Sequence, residues 1–178
     1  MGEVIFEPYL AEVLELSAPE LELLHSTGRA DAAIQLARLR WWNGDALTPI
    51  ELLQEPAHKG VPVAQYLLGT YLRFKRRDMQ ASMLWLSKAA DAGHPAAQEL
   101  LAGYYSDGSG GFPKNQSLSF QRYLAAARQG LANAQMNVGT MYCMGVGIEK
   151  NNAQGVAWFM NSQQRSTKPL PPSAAGCQ

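Results

Sequence analysis

Residues 89–98 read AADAGHPAAQ, and the same frame returns as AARQGLANAQ at 126–135 and as PAHKGVPVAQ at 56–65. Each copy is an Ala, two residues, a Gly, three residues, then Ala-Gln. The Gly of this frame falls at Gly28, Gly60, Gly93 and Gly130, spaced by 32, 33 and 37 residues. Recurrence at that period is the mark of stacked supersecondary units. Four residues after each Gly stands an Ala (Ala32, Ala64, Ala97, Ala134), opening a helical pattern. Leu68, Gly69 and Leu72 follow Ala64; Leu101, Ala102 and Tyr105 follow Ala97; Val138, Gly139 and Tyr142 follow Ala134. The first copy is looser, with Leu36, Ala37 and Arg40.

After each of these A helices comes a turn and an Asx residue suited to capping a B helix: Asp45, Asp78, Asn115 and Asn151. Trp85 and Trp158 sit seven residues beyond their caps. The B helix stops near the ruler Gly, which tolerates a left-handed backbone, and Pro62 and Pro95 can open the next A helix. Small residues on the A helix let two backbones approach closely. A pair alone leaves an apolar face bare, so stacking the pairs builds a continuous core. The recurring decapeptide is thus the corner from one pair to the next.

Residues 4–27 read as a divergent terminal pair, with an A helix at 8–16 and a B helix opened by Ser17–Glu20, which has capping-box spacing, and running through His25. Repeats are expected at about 28–59, 60–92, 93–129 and 130–165, forming one solenoid over 1–165. Residues 166–178, STKPLPPSAAGCQ, are expected to be a flexible Pro-rich tail. The Gly-rich stretches SDGSGGFPKN and MGVGIEKN are A-to-B loops; neither follows a strand, so a phosphate-cradling reading lacks its context.

These residues resemble Sel1-like repeats, relatives of the tetratricopeptide repeats. The pattern is Ala-x-x-x-Leu-Gly-x-x-Tyr, a Gly-x-Gly loop, Asp, then Trp-x-x-Lys-Ala-Ala-x-x-Gly. Residues 64–93 carry its B-helix half and 134–151 its A-helix half, within a likeness that spans about 28–165. Departures are Arg40 at the Tyr position, Pro49 in the first B helix and Arg122 at a Trp position. The resemblance implies an all-α, right-handed α-solenoid of antiparallel helix pairs. It also implies a mostly bacterial protein-interaction scaffold without catalytic activity.

Composition narrows the partners. Fifteen Lys and Arg balance fifteen Asp and Glu in 178 residues, so the basic excess of a nucleic-acid binder is missing. No apolar run approaches the ~20 residues of a membrane span. Glu3, Glu7, Glu12 and Glu15 make the N-terminus read as a folded helix rather than a secretory leader. Cys143 and Cys177 are expected to be free thiols in a reducing compartment, and the chain to be cytoplasmic and monomeric. His25, His58 and His94 fall in different repeats, too far apart to share a metal. Cys143 has no His in its own repeat to act as base, and the carboxylates are mostly spread singly. No catalytic residue, metal or cofactor is therefore assigned.

Counting each A helix from its Ala as zero, positions 2, 6 and 9 lie about 200°, 240° and 180° round from it. In the related tetratricopeptide fold that side lines a concave groove. Position 10 adds to the set. The candidates are Ile34, Arg38, Trp41 and Trp42; Tyr66, Thr70, Arg73 and Phe74; Glu99, Gly103, Ser106 and Asp107; and Met136, Thr140, Cys143 and Met144. Aromatic residues with Arg are what interface hot spots favour. The partner-binding set is accordingly Arg38, Trp41, Tyr66, Thr70, Arg73, Phe74, Glu99, Met136 and Thr140. It would suit an extended or helical protein segment bearing a carboxylate and an apolar anchor. Trp42 and Phe74 could instead pack into the next pair, and the basic run Arg73–Arg77 could be a solvated turn. The main functional expectation is a protein- or peptide-binding adaptor. The alternatives are an immunity-type inhibitor that occludes a toxin or effector, and a scaffold subunit of a secretion or envelope assembly.

Overall fold

The computed structural model describes residues 15–45, 48–163 and 177. Among them the chain is helical, with no strand. It divides into two compact units, 1–92 and 93–178.

The first unit contains α1 (Ala18–Ser26), α2 (Ala30–Trp42), α3 (Thr48–His58), α4 (Pro62–Tyr71), a π-helical turn (Leu72–Arg76) and α5 (Met79–Asp91). Each helix packs on the next in sequence. The expected A helix at 8–16 lies almost wholly outside the described residues. Ser17 does form a capping box: Glu20 Oε2 accepts from the Ser17 backbone N–H at 2.8 Å and from its hydroxyl at 2.6 Å. The core runs along the A-helix stripe, where Ala32, Ala37 and Ala64 are fully enclosed beside Leu36 and Leu68. Ile34, expected on the open side, is fully buried instead. The reason is α1, which packs on α2 and brings Leu21 and Leu24 into the same apolar cluster. Arg40 stands where the pattern has a Tyr, and its guanidinium pairs with Glu22 of α1.

The second unit contains α6 (Pro95–Asp107), α7 (Gln116–Arg128), α8 (Ala132–Met144) and α9 (Asn152–Gln163). Again the A-helix stripe is enclosed: Ala97, Leu101 and Ala102, then Ala134, Val138 and Gly139. A Cβ on Gly139 would lie 2.8 Å from the Phe159 ring and 3.0 Å from the Gly155 carbonyl, so α8 and α9 meet as closely as backbones allow.

One hydrogen bond recurs at every A-to-B turn. The backbone N–H of the capping residue donates to the carbonyl of the A-helix residue at position 8. The pairs are Asp45 to Arg40 (3.0 Å), Asp78 to Leu72 (3.2 Å), Asn115 to Tyr105 (2.7 Å) and Asn151 to Tyr142 (2.8 Å). The capping side chains then accept from the first turn of each B helix: Thr48, Ala81, Leu118 and Gln154 donate to them at 3.0–3.2 Å. The ruler glycines all hold positive φ, between 83° and 91°, as the helix stop demands.

Cys143 and Cys177 are not free. They form a disulfide with their Cα atoms 5.1 Å apart, within the ordinary range for such a bridge. Cys143 also leaves the candidate surface, since it is buried with Phe159. The expected flexibility of the tail concerns residues 166–178, which, Cys177 aside, lie outside the described ones.

Candidate functional site

In the first unit α2, α4 and the π-helical turn bring the candidate side chains together. The ring of Trp41 stacks on Tyr71 with centroids 4.0 Å apart and planes 5° from parallel. The Lys75 ammonium lies over the same indole, 5.1 Å from its centroid. Burial pushes the Tyr71 hydroxyl up to about 12, against the opposing pull of the Arg38 charge; Tyr66 is close enough to add to the rise. Arg38, Trp41, Tyr66 and Tyr71 therefore form one neighbourhood. Trp41 is half-buried within it and acts as a support rather than an open anchor.

The exposed aromatics are its neighbours. Trp42 is 87% exposed and Phe74 is 61% exposed, so neither packs into another pair. The Arg73 guanidinium lies 5.2 Å from the Phe74 ring centroid. Attraction between a cation and a ring face holds both side chains in place. Arg76 and Arg77 stand exposed at the end of the turn. Arg77 is also the only described non-glycine residue at positive φ (52°). Thr70 uses its hydroxyl proton on the Tyr66 carbonyl of its own helix (2.8 Å).

In the second unit the corresponding face is different in character. Glu99 and Thr140 are half-buried, Asp107 is exposed, and Met144 is 63% exposed. Burial raises the Tyr123 hydroxyl, and the charges of Glu99 and Asp107 raise it further, which places these three groups in one electrostatic neighbourhood. A Cβ on Gly103 would lie 3.6 Å from the Tyr123 hydroxyl. Thr140 donates to the Met136 carbonyl (3.1 Å), repeating the Thr70 contact. The first unit thus offers rings and cations, the second carboxylates, a phenol and thioethers.

His94 is buried and serves the fold. Its Nδ1 accepts from the Ala97 backbone N–H at 3.3 Å as the cap of α6, and burial lowers its pKa to about 4. Among the described residues no three His, Cys, Asp or Glu side chains are grouped to hold a metal ion. No described helix is long and apolar enough to cross a membrane.

Two features were missed in the sequence. The Gln of the Ala-Gln frame bonds the end of the preceding B helix: Gln65 Nε2 donates to Ala57 O and Gln135 Nε2 to Ala127 O, both at 3.1 Å. Its exact recurrence was the available signal. The second is the Cys143–Cys177 bridge, for which spacing carried no signal.

The Sel1 repeat profile matches residues 62–94, 95–131 and 132–159. An uncharacterized protein of Neisseria meningitidis serogroup B is 30% identical over 122 residues, covering 68% of this chain and 25% of that protein. Chitin synthase regulatory factor 3 of Schizosaccharomyces pombe is 29% identical over 130 residues, covering 68% of this chain and 14% of that protein. An ERAD-associated E3 ubiquitin-protein ligase component of Arabidopsis thaliana, HRD3A, is 36% identical over 76 residues, or 40% of this chain and 11% of that one. The chain thus spans a quarter or less of the length of these relatives. Among solved structures, a Sel1 repeat protein from Oxalobacter formigenes superposes with a TM-score of 0.77 at 27% identity, covering 84% of this chain and 45% of that one. A protective antigen of uropathogenic Escherichia coli with the SLR fold superposes with a TM-score of 0.75 at 24% identity, covering 86% and 34%.

Proposed function

The chain belongs to the Sel1 repeat family, whose repeats mediate protein–protein interaction, and from that premise we propose that it binds a partner protein segment on its A-helix faces. The principal surface is that of the first unit: Arg38, Trp41, Tyr66, Thr70, Arg73 and Phe74. Glu99, Met136 and Thr140 make the corresponding surface of the second unit. The observation that carries the reading is the exposure of Phe74 with the Arg73 guanidinium over its ring, in the same turn as Lys75, which lies over the half-buried Trp41. A solvated turn has no use for an exposed aromatic, whereas desolvating it beside Arg is a strong source of interface energy. The names of two relatives, a regulatory factor and a ligase component, fit a role exercised through other proteins.

The test is a pull-down from host lysate with the wild-type chain beside an Arg38→Ala/Phe74→Ala/Arg73→Ala variant, its helicity checked by circular dichroism. A partner held by the wild type and lost by the variant supports the surface. A partner retained equally by both places the working surface elsewhere. A single large partner at nanomolar affinity would favour an inhibitor, micromolar capture of shorter segments an adaptor, and a stable multi-subunit complex a scaffold subunit.

A further inference from the structure

We propose that the α8–α9 pair carries a built seat for the Cys177 side chain, with the bridge to Cys143 as a redox-controlled lock that stabilises α9. Cys143 is on α8 and is 2% exposed, and Cys177 is 6% exposed. The two sulfurs and Phe159 form an apolar cluster of their own, separate from the cluster built on Phe120, Val138 and Met141.

Gly155 of α9 is the floor of the seat. A Cβ there would collide with Cys143 Sγ and would stand 2.8 Å from Cys177 Sγ. Four residues past its cap, Gly155 corresponds to Ser82 and Ser119 in the two preceding B helices, and both serines are buried. Ser119 fills its place by donating to the Ala102 carbonyl of its A helix at 2.8 Å. In the last pair the side chain is deleted and the bridge occupies the space.

Closing the lock takes an oxidant. The two thiols lose two protons and two electrons to a disulfide such as oxidised glutathione, which leaves as two thiols. An oxidising compartment keeps the bridge, and a reducing one breaks it. Cytoplasmic residence, expected from the sequence, corresponds to the dithiol form.

The experiment equilibrates the full chain in glutathione buffers, alkylates it with iodoacetamide without unfolding, and measures intact mass. Amide hydrogen exchange and melting are recorded in parallel, with Cys177→Ser as the variant. In oxidised glutathione no cysteine is expected to be alkylated. Reduction and Cys177→Ser should each lower Tm by roughly 10 °C for a loop of this length. Each should speed exchange in α9 by about tenfold, and reducing the variant should add nothing. Gly155→Ser, which refills the floor with both thiols present, should lower the bridged fraction while helicity is kept. Alkylation of both cysteines in oxidised glutathione would overturn the proposal. So would a disulfide-linked dimer, or a bridge whose reduction leaves Tm and α9 exchange unchanged.

Discussion

Gln135 Nε2 donates to the carbonyl oxygen of Ala127 at 3.1 Å, across a corner of eight residues, and Gln65 makes the same bond to Ala57. The accepting carbonyls belong to the last turn of a B helix, where each also accepts from the backbone N–H of the ruler glycine, Gly60 to Ala57 at 3.1 Å and Gly130 to Ala127 at 3.0 Å, so the amide supplies a second donor. The corner is therefore also fastened by a side chain from the helix that follows it, in a buried setting.

Replacing that amide by an isosteric apolar chain isolates the bond. Gln135→Leu should destabilise the chain by no more than about 1 kcal/mol, because the Ala127 carbonyl keeps the Gly130 N–H and the buried Gln135 Oε1 has no partner to lose. Gln65→Leu should cost a similar amount. Urea unfolding checks both, with an unchanged m-value showing that only stability has moved.

Gly139→Ala tests the closest helix crossing. A helical Ala should gain about 1 kcal/mol in propensity over Gly. The new methyl, however, meets the Phe159 ring at 2.8 Å and the Gly155 carbonyl at 3.0 Å. Overpacking of this kind costs about 1–3 kcal/mol, so the net effect should be a loss. Thermal melting reads it, and a rise in Tm would show that α9 shifts freely.

His94 makes stability depend on pH. Its pKa falls from 6.5 to about 4 on folding because burial disfavours the charged ring. Between those values the unfolded chain binds a proton that the folded chain does not, so stability falls as pH drops from 6.5 toward 4 and levels off below. The full effect is on the order of 3 kcal/mol. His94→Asn keeps a cap acceptor and removes the titration. Its unfolding free energy should be flatter over that window, measured as the difference from wild type at each pH.

Arg77 sits at a φ of 52°. Arg77→Gly should relieve that strain and raise stability by up to about 1 kcal/mol, yet it removes an exposed cation from the turn that carries Arg73 and Phe74. Partner affinity falling while Tm rises would separate the two roles of the residue.

The stripe of Ala32, Leu36, Ala64, Leu68, Ala97 and Leu101 was legible because burial on one side of a helix imposes its period on the sequence. The four Asx caps were legible because their chemistry is local. Ile34 was misassigned because α1 covers a second side of α2, which a single-helix angle cannot express. Trp41 and Trp42 are adjacent, and both were placed on the same open arc. Only the fold reveals that Tyr71 stacks against the first and leaves the second exposed. The cysteines are 34 residues apart, and their meeting depends on where the chain returns after α9.

The bond from each capping N–H to the position-8 carbonyl closes spans as different as Arg40 to Asp45 and Tyr105 to Asn115. What lies between those two atoms is tied to the helices as well: buried Phe112 packs on Tyr104 and Tyr105, and Lys75 lies over Trp41. The loop can therefore change length from one repeat to the next only where it keeps a side chain that closes the end of its A helix.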